Sequence, residues 1–119
     1  MKNPLEYYNG DDGLYIYVTG EIDHHNCADL RTATDGLIET ILPKKVTLDL
    51  RDVTFCDSSG IAFILGRYKI LTAKGISLTV TNVPAQPYKI FTLAAMTKLI
   101  NISPLQIATE SRAERKELK

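Results

Sequence analysis

The hydrophobic period of the chain changes abruptly between Val46 and Gly75, and that change restricts the folds open to it. Val46-Thr47-Leu48-Asp49-Leu50 is short, aliphatic and bounded by polar residues, and reads as a central strand. Beyond Phe55-Cys56-Asp57-Ser58-Ser59-Gly60 the apolar residues recur at helical spacing, with Ile61, Ile64, Leu65, Tyr68 and Leu71 making one stripe. Asp57 or Ser58 is the expected cap of that helix. Lys74-Gly75 ends it, glycine being suited to the left-handed position after a last turn. A strand passing straight into a helix is a building unit of layered α/β sheets.

The alternation continues on both sides. Leu5 to Tyr8 forms a short first strand, and the turn cluster Asn9-Gly10-Asp11-Asp12-Gly13 returns the chain as a hairpin partner. In that partner, Leu14, Ile16 and Val18 alternate with Tyr15, Tyr17 and Thr19, the pattern of a half-buried strand. Gly20-Glu21-Ile22-Asp23 then leads into a helix whose apolar face is Leu30, Ala33, Leu37 and Ile41, widened by Ile38 and Leu42 and stopped by Pro43. Ile76 to Thr81 is a further strand. Pro84 to Ala95 is a third helix, with Pro87 expected to distort its first turn. Leu99 to Ile102 is a short last strand. Ser103-Pro104-Leu105-Gln106 has the form of a capping box opening a C-terminal helix. The tail from Glu110 to Lys119 places like charges at helical spacing and is expected to fray. The whole reads as one α/β domain over residues 1–119, its core over about 5–105, with a mixed sheet and helices packed against it.

Composition narrows the function. Fourteen basic residues balance fourteen acidic ones, so no net field draws the chain to nucleic acid or to anionic lipid. No apolar run approaches the roughly 20 residues of a membrane helix, and Met1-Lys2-Asn3-Pro4 lacks the apolar core of a signal peptide. Cys27 and Cys56 are too few for a disulfide framework and suit a reducing compartment. A soluble cytoplasmic protein without direct DNA or membrane contact is the expectation.

Three chemistries can be built from the side chains. A hydrolase would use Ser58, His24 or His25, and Asp23, but Asp57-Ser58-Ser59-Gly60 is not the nucleophile elbow of such enzymes. A metal site would draw on Asp23, His24, His25, Cys27 and Cys56, yet no chelating spacing is present. No catalytic residue, metal or cofactor is therefore expected. The third chemistry is partner binding. With Ile61 facing the core, Ser59, Phe63, Gly66 and Ile70 fall on the opposite side of the helix, flanked by Arg67 and Lys74. Gly66 there would admit another backbone. A serine at a helix N-terminus, Ser58 or Ser59, also sits where unpaired N–H groups and the helix dipole favour an anion. It is thus a candidate for phosphorylation.

Three blocks, Thr19-Gly20-Glu21-Ile22-Asp23-His24-His25, Asp57-Ser58-Ser59-Gly60 and Ile64-Leu65-Gly66-Arg67-Tyr68-Lys69, together resemble the STAS family. The likeness is strongest to its anti-sigma factor antagonists that control the forespore sigma factor of spore-forming bacteria, and it spans about residues 5 to 105. It implies a small α/β fold with a mixed sheet and no activity of its own. It also implies a partner that is both an anti-sigma factor and a serine kinase. That kinase, using ATP and magnesium, phosphorylates Ser58, and a serine phosphatase resets it. By the same resemblance Asp23 lies in a loop beside Ser58, with Gly20, Glu21, Asp57 and Gly60 in the docking region. The sequence departs from the family pattern at Ala62-Phe63, where smaller residues are usual, and at Ala94-Ala95, where a serine–glycine pair is common. The alternative is a STAS module that senses a small ligand or regulates another signalling assembly.

Overall fold

The computed structural model describes residues 5–106. β1 (Leu5–Gly10) and β2 (Gly13–Ile22) form the hairpin. They are followed by α1 (Cys27–Ile41), β3 (Lys45–Cys56), α2 (Ser58–Ala73), β4 (Ser77–Val83), α3 (Ala85–Leu93), a single 3-10 turn over Met96–Lys98, and β5 (Asn101–Pro104). The strands lie in the order β1-β2-β3-β4-β5. β1 is antiparallel to β2, and every other neighbouring pair is parallel. Each parallel crossover steps to the next strand in the same direction, so right-handed connections deliver α1, α2 and α3 to one face of the sheet.

That face holds the core. Ile16 pairs with Leu48, Leu48 with Val80 and Val80 with Ile102, so one buried row crosses four strands. Leu14, Val46 and Leu78 make a second row beside it. The helices close over these rows with Leu30, Thr34 and Ile38 from α1, Phe63, Ile64 and Leu71 from α2, and Phe91 from α3. The opposite face carries Tyr15, Tyr17, Thr47, Asp49, Thr79 and Thr81, the polar half of each alternation. The Asp49 carboxylate is satisfied there by the Arg51 N–H and the Asn82 side-chain amide, each at 3.0 Å.

Several sequence expectations are corrected. Gly20-Glu21-Ile22 continues β2 rather than leading into a helix. The pairing of β2 with β3 shifts register between Tyr17 and Thr19 and again between Gly20 and Glu21, and Gly20 takes φ +88. A bulge with glycine in a left-handed conformation bends the strand end without breaking it. The buried row of α1 runs through Leu30, Thr34 and Ile38, an i, i+4 row, so Ala33 is exposed. Leu42 is exposed too, because it forms the left-handed C-cap beyond the last turn. Pro87 does not distort α3. It falls in the first turn, where its missing N–H would have had no helical acceptor. Ser103 and Pro104 end β5 rather than opening a helix, and Leu105 N–H bonds the Val83 carbonyl at 2.9 Å. Proline is tolerated there because β5 is an edge strand. The expected C-terminal helix and fraying tail lie outside the described residues.

The largest correction concerns α2. Phe63 is 1% exposed and Arg67 3% exposed, so neither lies on an outer face. Apolar residues occur around almost the whole circumference of Ile61-Ala62-Phe63-Ile64-Leu65, which leaves the helical period without a single preferred side. The helix packs on the sheet and also against α1, where Arg67 meets Asp35, and Phe63 is buried in the core beneath Arg67. The Arg67 guanidinium lies over the Phe63 ring at 5.5 Å and donates from Nη1 to the Phe63 carbonyl at 3.3 Å. Its Nε stands 2.8 Å from Asp35 Oδ1 of α1, an ion pair without hydrogen-bond alignment. Burial pulls the Arg67 pKa down, while Asp35 pushes it back up. Arg67 therefore acts as a clamp between two helices, with its stem packed in the core.

Candidate functional site

The parallel strands β2 and β3 end side by side at Ile22 and Cys56, and the loops leaving them form the candidate site. In open parallel sheets this carboxyl edge is where binding residues gather. The Asp57 N–H donates to the Ile22 carbonyl at 3.1 Å, tying the start of α2 to the end of β2. Asp57 is the N-cap of α2. Its extended backbone turns the chain out of β3, and its Oδ1 accepts the Ser59 N–H at 2.8 Å. A side-chain cap of this kind contributes about 1 kcal/mol. Ser58 is thus the first helical residue and is exposed, while Ser59 is half-buried. Gly60 is buried beneath them, and a β-carbon on it would collide with the Cys56 sulfur.

The expectation that Ser59 faces outward is therefore corrected: the exposed hydroxyl is that of Ser58. The Ser59 carbonyl lies 3.5 Å from the Cys27 sulfur, which donates to it. The Cys56 thiol is fully buried and donates to the Asp57 carbonyl at 3.4 Å. Burial, with Asp57 and Cys27 adding, pushes the Cys56 thiol up to about 12. At neutral pH Cys56 is therefore a packed thiol beneath the loop.

Asp23 sits next to this turn but does not bond it. Its Oδ1 accepts the N–H groups of His25 at 3.0 Å and Asn26 at 3.1 Å. In return the Asp23 N–H donates to Asn26 Oδ1 at 3.0 Å. This reciprocal pair shapes the loop that opens α1, whose N-cap is Asn26. Desolvation raises the Asp23 pKa, but the Asn26 and His25 N–H groups together with Glu21 and the His25 charge outweigh it, and the net shift is downward. The side chain of this loop that approaches the cap is His24, whose Nδ1 lies 3.9 Å from Asp57 Oδ2. His24 therefore faces the cap and not Ser58, and the hydrolase arrangement of Ser58, histidine and Asp23 is not assembled. Among the described residues no group of three or more His, Cys, Asp and Glu is placed to hold a metal ion.

The remaining expected site residues divide. Glu21 is exposed, Gly20 is half-buried at the bulge, and Gly66 and Ile70 are half-buried along α2. Gly66 has open space where a β-carbon would stand. Phe63 and Arg67 belong to the core contact described above.

One residue that supports the site has no sequence signal. Gln86, in the first turn of α3, accepts the Cys56 N–H at 2.9 Å and donates to the Cys56 carbonyl at 2.8 Å. The pairing of β3 with β4 stops at Asp49 and Thr81, so the far edge of β3 would otherwise lack a partner at Cys56. The amide of Gln86 substitutes for a strand and holds the residue before the cap from its other side. Neither periodicity nor turn chemistry marks Gln86, because only the sheet's early termination creates the need for it.

The STAS domain model matches residues 5–107, and the chain belongs to the STAS family. It is 31% identical over 102 residues to an anti-sigma F factor antagonist of Paenibacillus polymyxa, covering 86% of each chain. Its fold is similar to that of the anti-sigma factor antagonist SpoIIAA in its unphosphorylated form, with a TM-score of 0.68, 19% identity and 97% of each chain covered. It is also similar to the Bacillus cell fate determinant SpoIIAA in the phosphorylated form, with a TM-score of 0.62, 21% identity, and 93% of this chain and 97% of that chain covered.

Proposed function

We propose that this protein is an anti-sigma factor antagonist that binds an anti-sigma factor with serine kinase activity, releases a sigma factor, and is switched off by phosphorylation of Ser58. It acts as a binding protein and phosphorylation substrate in the cytoplasm, and catalyses nothing itself. The observation that carries this is the first turn of α2. Ser58 is exposed as the first helical residue, while the neighbouring Ser59 is half-buried. The similarity to the Paenibacillus polymyxa antagonist supports the same role.

The physics suits a switch. A phosphate adds roughly −1.5 to −2 charge. At a helix N-terminus that charge meets the positive end of the dipole, so the fold has no reason to rearrange. On a surface already carrying Glu21, Asp23 and Asp57, the same charge alters what a partner can accept. About 1.4 kcal/mol of differential binding is a tenfold change, so a modest electrostatic penalty reverses partner choice.

The test is incubation of the full chain with the anti-sigma serine kinase of the same organism, ATP and magnesium, followed by intact mass and phosphopeptide mapping. One phosphate on Ser58, absent from Ser58→Ala and removed by a serine phosphatase, is the expected result. Phosphate on Ser59 alone, or retained in Ser58→Ala, contradicts the assignment.

A further inference from the structure

Two phenylalanines close together in the chain lie in opposite environments. Phe63 is in the core, whereas Phe55 is 43% exposed at the carboxyl end of β3. Its neighbours Val53 and Cys56 are buried. Phe55 pairs with Glu21 across the β2–β3 ladder, as Cys56 pairs with Ile22. Paired residues of parallel strands project to the same side, so the Phe55 ring stands beside the Glu21 side chain. The backbone beneath it is fixed from both directions, by β2 on one edge and by the Gln86 amide on Cys56 at the other. Phe55 is thus an aromatic ring held out on a rigid strand end, two residues before the cap of the Ser58 helix.

The two ends of chain that pair there are acidic. The two chain stretches that meet there, residues 19–26 and 52–58, contain Glu21, Asp23, Asp52 and Asp57 and no lysine or arginine. His24 and His25 are the other ionisable side chains of the first stretch. A single exposed apolar side chain is ordinary in itself. An exposed aromatic ring on a rigid support, paired with Glu21 and two residues along the chain from the Asp57 cap, has the make-up of an interface anchor.

We propose that Phe55 is the apolar anchor of the docking surface and that its partner is the anti-sigma kinase, through an apolar pocket flanked by lysine or arginine that meet Glu21 and Asp57. This rests on the function proposed above and adds a residue and a partner chemistry to it. The ring supplies contact that persists whatever the state of Ser58. The Glu21 and Asp57 carboxylates supply attraction to a cationic surface, and a phosphate on Ser58, next to Asp57 in the chain, would change the fit.

The test compares full-length wild type, Phe55→Ala, Glu21→Gln, Leu93→Ala and Ser58→Asp for binding to the anti-sigma kinase of the same organism by calorimetry, with melting temperature as the control for folding. Leu93 is the more exposed residue, at 78%, and lies at the last turn of α3. Phe55→Ala is expected to weaken binding at least tenfold with its melting temperature near that of wild type, and Leu93→Ala to bind as wild type. Binding by wild type should fall with added salt, and less steeply in Glu21→Gln. If wild type binds and Ser58→Asp weakens it while Phe55→Ala binds normally, the anchor is refuted and the proposed function stands. A steep loss in Leu93→Ala with none in Phe55→Ala moves the docking surface to α3 and overturns the proposal. If wild type does not bind the kinase at all, the function and the anchor fall together.

Discussion

The two halves of α2 are built for opposite purposes. Its first turn is held by an exposed-edge cap, Asp57 on the Ser59 N–H, and presents Ser58 to solvent. Its middle turns are locked between the sheet and α1 by Phe63, Ile64 and the Arg67–Asp35 pair. With Ser58 as the phosphorylated residue proposed above, the difference teaches how a small domain would carry a charge switch without becoming soft. The proposed site lies at the positive end of the helix dipole. The next turns are close-packed and resist deformation, so a charge added at the surface finds little there to rearrange. On this account phosphorylation acts at the surface, through charge, and not through the core.

The sharpest way to break the comparison is at Phe63. If it belongs to the core, Phe63→Ala should cost about 3–5 kcal/mol of folding stability, measured by urea unfolding, while the affinity of the folded fraction for the kinase stays near wild type. Wild-type stability with lost affinity would return Phe63 to the docking surface and erase the division between the two halves.

Gly60 marks the boundary between them. Gly60→Ala should lose roughly 1–3 kcal/mol through overpacking, because the new methyl group meets the Cys56 sulfur. Adding Cys56→Ala removes the colliding atom, so the double variant should be less unstable than the two single losses summed. Strict additivity in denaturant unfolding would show that the collision is relieved elsewhere.

A smaller effect is expected at Asp23, on the loop facing the switch. Its lowered pKa means the carboxylate favours the folded loop. That contribution is present above the ordinary carboxylate pKa and is lost as pH falls through the depressed value. Asp23→Asn keeps an oxygen acceptor for the His25 and Asn26 N–H groups, so stability at neutral pH should be near native. Acid unfolding should begin at slightly lower pH in the variant. The rate of Ser58 phosphorylation should change if Asp23 also serves the kinase. An unchanged acid transition would show that the loop does not depend on the charge, and an unchanged phosphorylation rate would leave Asp23 a turn-forming residue only.

The same contrast explains what the sequence could disclose. The hairpin and the inward alternation of Leu14, Ile16 and Val18 were legible because a two-residue period has only one reading on a sheet with one buried face. The strand-to-helix turn at Asp57 was legible because capping chemistry is local. The face of α2 was not, since a helix apolar nearly all round contains no preferred side, and the contact with α1 decides it. Ser103-Pro104 failed as a helix start because the pairing of Ile102 with Val80 draws that segment into the sheet, a tertiary override of a local signal. The roles of Phe55 and Gln86 depend on where β3 loses β4 as a neighbour, and no local pattern encodes that.

The central claim, that the first turn of α2 switches partners through charge alone, is tested most directly by one pair of affinities. The Ser58-phosphorylated chain and the unmodified chain should be titrated into the anti-sigma kinase under identical salt, with both melting temperatures recorded. The account predicts at least a tenfold weaker affinity for the phosphorylated chain and closely similar melting temperatures. Equal affinities, or a loss of affinity accompanied by a large fall in melting temperature, would contradict it.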